Sequence, residues 1–242
     1  MANLKEIRTR ITSVASTMQI TSAMKMVSAA KLKRAQDAIT QMRPYAEKLR
    51  EILVNISSTL EGSAEGVYSQ EREVNKVLIV AIASNRGLCG AFNANIFKAA
   101  EKRIKEYAEK EVQVYAIGKR SADYFTGKHT VFNSNAEIFN DLNYEHVAVM
   151  AEEVMEAFVA GKFDKVEIIY NEFKNAATQE VITQQFIPVV SEENEEGDLN
   201  ANYIFEPSKV SIVVDLIPKS LKTQFYKSLL DSHASEHGAR MT

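Results

Sequence analysis

Apolar residues recur at alternating spacings of three and four from the start of the chain. The series runs Leu4, Ile7, Ile11, Val14, Met18, Thr21, Lys25, Ser28, Leu32, Ala35, Ile39, Met42, Ala46, Leu49, Leu53, Ile56. Thirteen of these sixteen positions are apolar, and the three exceptions, Thr21, Lys25 and Ser28, are consecutive. A seam sustained over so many heptads predicts one helix over residues 3–57, built for a coiled coil rather than for a globular core. At 1.5 Å per residue it would be roughly 80 Å long. Asn3 is placed to cap it, and Glu6, three positions on, completes a capping-box-like start. Glycine is absent before Gly62, and the only breaker is Pro44, expected to kink or loosen the helix.

Beyond this seam the period changes. Residues 62–73 are polar and contain glycine, and read as a linker. From Val74 short apolar runs alternate with helical patterns. Strands are expected at 77–83, 112–117, 130–132, 165–170 and 179–190, and helices at 91–110, 119–125 and 144–160. The 91–110 helix would carry Phe92, Ile96, Ala99, Ala100, Ile104 and Tyr107 on one face. This alternation predicts an open, mostly parallel α/β sheet. Residues 191–202 form an acidic loop, and after Pro207 the pattern is helical to the end, with a break expected near Pro218. The chain thus divides into an N-terminal coiled-coil helix (1–60), an α/β domain (74–206) and a C-terminal coiled-coil helix (207–242). The two terminal helices are expected to pair antiparallel, with the domain inserted between them.

Charge sharpens the division. Residues 1–50 hold ten Lys or Arg against three acids, and the remainder holds 19 basic against 29 acidic residues, so a net charge of −3 conceals a positive rod on a negative body. Such a rod suits an acidic surrounding surface. Nucleic acid fits it less well, because the charges interleave with a coiled-coil seam and no separate basic region precedes a zipper. The longest apolar stretch, residues 77–83, is far too short to span a bilayer, and the N-terminus carries no apolar signal core. A cytoplasmic protein is expected, associated with a membrane only through partners. Cys89 is the single cysteine, which leaves no intrachain disulfide.

Four patterns carry possible chemistry. Ser84-Asn-Arg-Gly-Leu-Cys-Gly90 follows a strand and precedes a helix, as a phosphate cradle would. No complete phosphate-loop or dinucleotide fingerprint accompanies it, so a tight turn in which Gly87 and Gly90 relieve backbone strain is the weightier reading. His233-Ala-Ser-Glu-His237 matches a zinc-hydrolase pattern with both imidazoles on one helix face. Five residues later the sequence stops without a third downstream ligand, and no metal is expected. The acidic loop lacks the spacing of a cation site. Met18, Met24, Met26 and Met42 read first as soft gap-fillers.

Three separated blocks point further. Leu4-Lys-Glu-Ile-Arg-Thr-Arg-Ile11, Ser13-Val14, the run Ile20-Thr-Ser-Ala-Met-Lys-Met-Val-Ser-Ala-Ala-Lys-Leu-Lys-Arg-Ala-Gln36 and Arg43-Pro-Tyr45 come first. Ser84-Asn-Arg-Gly-Leu-Cys-Gly-Ala-Phe-Asn93 and Ser235-Glu-His-Gly-Ala-Arg-Met241 follow in order. In these blocks the chain closely resembles the gamma subunits of F-type ATP synthases, with Gln19 and Asn85 where many members have Lys and Asp. The resemblance implies an antiparallel coiled coil with an inserted Rossmann-like domain, acting as a non-catalytic central rotor shaft without a cofactor. It implies alpha, beta, epsilon and c-ring partners, at the cytoplasmic face of a bacterial inner membrane. It also implies a continuation past Met241 that would supply much of the partner helix. Without it, seam residues such as Ile39, Leu49 and Leu53 are expected to be exposed and to invite dimers. The residues expected to contact the alpha–beta collar are Arg8, Arg10, Met24, Lys25, Lys31, Arg34, Arg86 and Arg240. The rival reading is a stand-alone α/β enzyme with a helical oligomerisation arm, which would need a pocket at the carboxyl ends of the strands.

Overall fold

The computed structural model describes residues 3–57, 67–69, 72–189 and 209–242. The expected linker lies largely outside the described residues and the acidic loop wholly so. The seam folds as one helix, α1 (Leu4–Ser57). Asn3 caps it by accepting a 3.2 Å hydrogen bond from the Lys5 amide. Glu6 reaches forward to Arg10 at 3.4 Å, so the expected reciprocal box is replaced by an i,i+4 pair. At the other end of the chain lies α5 (Lys209–Met241). Both helices run through their prolines, Pro44, where a kink or loosening was expected, and Pro218, where a kink or break was expected. Buried neighbours on either side, Ile39 and Leu49 in α1 and Ile217 and Leu221 in α5, hold the backbone where a hydrogen bond is lost.

Between them lies a five-stranded sheet. Its elements are β1 (Lys76–Ile82), α2 (Phe92–Glu106), β2 (Glu111–Ile117), α3 (Lys119–Phe125), β3 (Val131–Asn135), α4 (Tyr144–Val159), β4 (Lys165–Phe173) and β5 (Gln179–Ile187). The helix expected at 91–110 ends four residues earlier, and a 3-10 turn (Glu137–Asn140) was not foreseen. Strand order is β3-β2-β1-β4-β5. All neighbours are parallel except β4 and β5. That pair is joined by a tight turn in which Asn175 Oδ1 accepts from the amides of Ala177 and Thr178. So short a link permits only an antiparallel return.

Alternate residues of β1 serve opposite cores. Leu78, Val80 and Ile82 pack with Val147, Val154 and Phe158 of α4 and with Leu221, Phe225 and Leu229 of α5. Val77, Ile79 and Ala81 pack with Ile96 and Ala100 of α2 and Phe125 of α3. A separate seam joins the terminal helices: Leu32, Ala35 and Ile39 of α1 against Leu230 and Ala234 of α5.

This seam corrects two expectations. Ser28 is not a break in it, because the residue is buried at 2% exposure where the helices close together, as a small side chain allows. Ile39 and Leu49 are likewise buried instead of bare, Ile39 in the cluster with Leu230 and Ala234 of α5, while the side chain of Leu53 lies outside the described residues. Among the described residues, the exposed apolar seam positions are Leu4, Ile7, Ile11, Val14 and Met18, at 43–75%.

Candidate functional site

Two surfaces carry the candidate functional residues: the bare half of α1 and the junction where α5 meets the sheet. On α1, Arg8, Arg10, Lys25, Lys31 and Arg34 are exposed and Met24 is half-buried. Among the described residues, Arg8, Lys25, Lys31 and Arg34 form no ion pair, whereas Lys33 binds Asp37 at 2.7 Å. Thr9, Thr12 and Thr17 turn their hydroxyls onto carbonyls four residues back, at 2.9–3.1 Å. Their hydrogen bonds are thereby satisfied within the helix, and the outer surface offers methyls and charges. An open groove here is lined by Met18, Gln19, Ser22, Ala23 and Met26.

The turn after β1 consumes its own polar groups. Ser84 donates from its amide and its hydroxyl to Asn93 Oδ1, both at 3.0 Å, and Asn93 Nδ2 reaches Cys89 Sγ at 3.2 Å. Asn85 donates to the Ala136 carbonyl and accepts from the Lys119 amide. Gly90 has φ 57°, but the other left-handed residue is Leu88 at 60°, not Gly87. A leucine so placed is a strained outlier, and it is 81% exposed beside exposed Arg86.

In a doubly wound sheet, ligands enter outside the carboxyl ends of the strands where chain order reverses, here between β1 and β4. That crevice is filled by α5. Ser235 Oγ donates to the Asn171 carbonyl of β4 at 3.0 Å. Arg240 Nη2 donates to the carbonyls of Arg86 and Gly87, at 3.1 and 3.4 Å, and pairs with Glu236 at 2.7 Å. Arg240, expected among the collar contacts, is therefore 10% exposed and engaged inside the chain. Burial pushes the Glu236 carboxyl upward, and Arg240 and Lys31 only partly oppose it.

The two histidines also lie on this buried stretch. Their rings sit 4.5 Å apart at 86°, and His233 stacks on Phe139. Burial first, with Lys31 and Arg240 adding repulsion, holds His233 down to about 4 and His237 to about 3. His237 sits in cationic company, and no three metal-ligating side chains converge among the described residues.

Two polar features escaped the sequence reading. Glu167, 2% exposed in the middle of the sheet, receives Arg103 at 2.6 Å through both Nε and Nη2, and Tyr107 Oη at 2.8 Å. Burial alone would raise its carboxyl, but these donors outweigh burial and lower it. A glutamate between Val166 and Ile168 was the available signal. Asp231, 4% exposed, is pushed up to about 6, first by burial and also by Glu172, against Lys227, Arg43 and Lys174. Nothing in the helical period distinguishes it from a surface aspartate.

A long basic helix braced by a second helix on an α/β base, with α5 bonded across the sheet crevice, defines a shaft-bearing protein. The chain matches the family described as ATP synthase over residues 3–242. It is 62% identical over 242 residues to the ATP synthase gamma chain of Flavobacterium johnsoniae, covering 100% of this chain and 85% of that one. It is 59% identical, with the same coverage, to the gamma chain of Flavobacterium psychrophilum. In fold it is similar to a chain of the Tetrahymena thermophila mitochondrial ATP synthase central stalk and c-ring, with TM-score 0.67 and 23% identity, covering 92% of this chain and 96% of that one. The chain belongs to the ATP synthase gamma chain family.

Proposed function

We propose that this chain is the central shaft of a rotary ATP synthase, turning inside an alpha–beta hexamer and imposing a different state on each catalytic site in turn. The observation that carries the reading is the bare, basic half of α1. Its seam residues Leu4 to Met18 are exposed and its cations largely unpaired among the described residues, on a single helix about 80 Å long. An asymmetric rod in a nearly threefold collar couples distant sites through one rigid element. Gamma makes and breaks no bonds, and the crevice where a ligand would bind holds α5.

In this reading the helices at 1–60 and 207–242 form the shaft, and the α/β domain at 74–206 sits on epsilon and the c-ring. Arg8, Arg10, Met24, Lys25, Lys31, Arg34 and the Arg86 turn face the collar, and Met24 supplies a soft, weakly directional contact. No helix among the described residues is long and apolar enough to cross a membrane. Attachment to the cytoplasmic face of the inner membrane would run through the c-ring.

Reconstitution with purified alpha and beta subunits tests this. The expected product is a complex holding one copy of the chain per hexamer, with altered ATP hydrolysis. Reversing Lys25, Lys31 and Arg34 to Glu should reduce retention, with a difference that shrinks in high salt. No complex with the unaltered chain would overturn the reading.

A further inference from the structure

Among the described residues, α1 packs extensively on α5, and α5 packs on β4 and α4, but no element of the α/β domain packs comparably on α1. The noncovalent path from domain to shaft therefore runs through α5. We propose that rotation passes between the α/β domain and the shaft through α5, seated in the core by Leu221, Phe225 and Leu229 and locked against twist by residues 235–242, with α1 carried on α5. This rests on the shaft reading above and specifies where within the chain the torque crosses.

The lock takes hold of backbone at three separate places. Ser235 Oγ bonds the Asn171 carbonyl in β4, Arg240 Nη2 bonds the Arg86 and Gly87 carbonyls after β1, and Thr242 Oγ1 bonds the Ala176 carbonyl in the β4–β5 turn at 3.0 Å. Backbone carbonyls move only with their strands or turns, so these bonds tie α5 to the domain itself rather than to mobile side chains. Asn171 extends the tie by donating to the Phe92 carbonyl at the start of α2, at 3.4 Å. Attachment to several separate segments resists twist as well as tilt. Gly238 sets the depth of contact. A Cβ there would lie 3.3 Å from Ala176 Cα and O and 3.4 Å from the Phe173 ring. Glu236, paired with Arg240 at 2.7 Å, aims the guanidinium at the turn. These are positioning residues: they touch no nucleotide and act through the geometry of the shaft.

The test uses the assembled, membrane-reconstituted ATP synthase, comparing ATP hydrolysis with ATP-driven proton pumping. Gly238→Leu should push α5 off the turn, and Ser235→Ala should remove one tie while leaving packing intact. Each is expected to cause a loss of protons pumped per ATP hydrolysed, in complexes of normal subunit composition. Ser235→Thr, which keeps the hydroxyl, should restore pumping. Unchanged pumping per ATP in assembled Ser235→Ala and Gly238→Leu complexes overturns the proposal. A second arm pairs Gly238→Cys with Ala176→Cys in a Cys89→Ser background. Oxidation should leave coupled turnover unchanged if the joint stays closed through the cycle. Turnover blocked by oxidation and restored by reduction would show a joint that must open, and would also overturn it. If even the unaltered chain fails to assemble, the shaft reading fails, a result separate from either of these.

Discussion

One heptad pattern runs the length of α1, yet its two halves meet different fates. From Ser28 to Ile39 the seam is covered by α5, with Leu32, Ala35 and Ile39 at 5–7% exposure. From Leu4 to Met18 equally apolar residues stand 43–75% exposed. Local sequence does not separate the halves, for both are helical and apolar at the same spacing. What separates them is whether a second helix reaches. The covered half derives its stability from packing, whereas the bare half rests on helix propensity, its cap and its i,i+4 contacts, which support an isolated helix only marginally. A bare apolar seam lined with cations is a surface prepared for other molecules.

Hydrogen exchange on the isolated chain gives the largest expected contrast. Amides at residues 28–46 should exchange only through opening comparable to global unfolding, typically 5–15 kcal/mol. Those at residues 4–18 should be close to unprotected. Equal protection along α1 would break the comparison. Side-chain truncation should follow the same line. Leu32→Ala or Leu230→Ala should cost about 2–5 kcal/mol in urea unfolding, and Ile11→Ala should stay within about 0.5 kcal/mol.

The pattern of residues 4–56 and the strand–helix alternation made the architecture legible, because periodicity reports which face is buried. It could not say by what. Ile39 and Leu49 were expected bare because the covering helix was sought beyond Met241, whereas α5 already supplies it at Ile39. The antiparallel return of β5 was legible only in the shortness of the 174–178 link. At the junction the sequence offered Ser235, Glu236 and Arg240 as separate letters. Their meaning lies in carbonyls of Asn171, Arg86 and Gly87, and a backbone acceptor leaves no trace in residue identity. Gly87 and Gly90 looked equivalent, yet the left-handed positions fell on Gly90 and Leu88.

On α5, the helix that packs along the covered half, Asp231 is a charge held against its preference. Its carboxyl is raised to about 6 from an ordinary value near 3.8. The folded state thus holds this proton more tightly than the unfolded chain. The favourable contribution is complete below the ordinary value and is lost as pH rises through about 6. Asp231→Asn should therefore stabilise the chain by roughly 2 kcal/mol at pH 7.5, and the advantage should vanish near pH 4. Tm measured at both pH values decides. A destabilised variant at pH 7.5 would mean that Asp231 makes a charge-dependent contact stronger than its desolvation.

The smallest effect gives the finest version of the comparison, because the same Glu-to-Arg spacing of four occurs in both regions. Glu6 and Arg10 lie 3.4 Å apart with side chains 56% and 79% exposed, and Glu236 and Arg240 lie 2.7 Å apart at 8% and 10%. Water and salt screen the first pair, so a double-mutant cycle to Ala should return only about 0.3–0.5 kcal/mol of coupling, falling further in salt. The second should return more than about 1 kcal/mol and resist salt, since removing one partner strands a buried charge. Strong coupling there is not net stability. Burial raises the Glu236 carboxyl even with Arg240 beside it, so the attraction does not fully offset desolvation. Replacing both residues with a well-packed apolar pair should consequently cost the fold little, while removing the guanidinium that holds the Arg86–Gly87 turn. Equal coupling in the two cycles would mean that the bare half of α1 and the buried end of α5 share one electrostatic environment, and the distinction between bare and covered surface would fail.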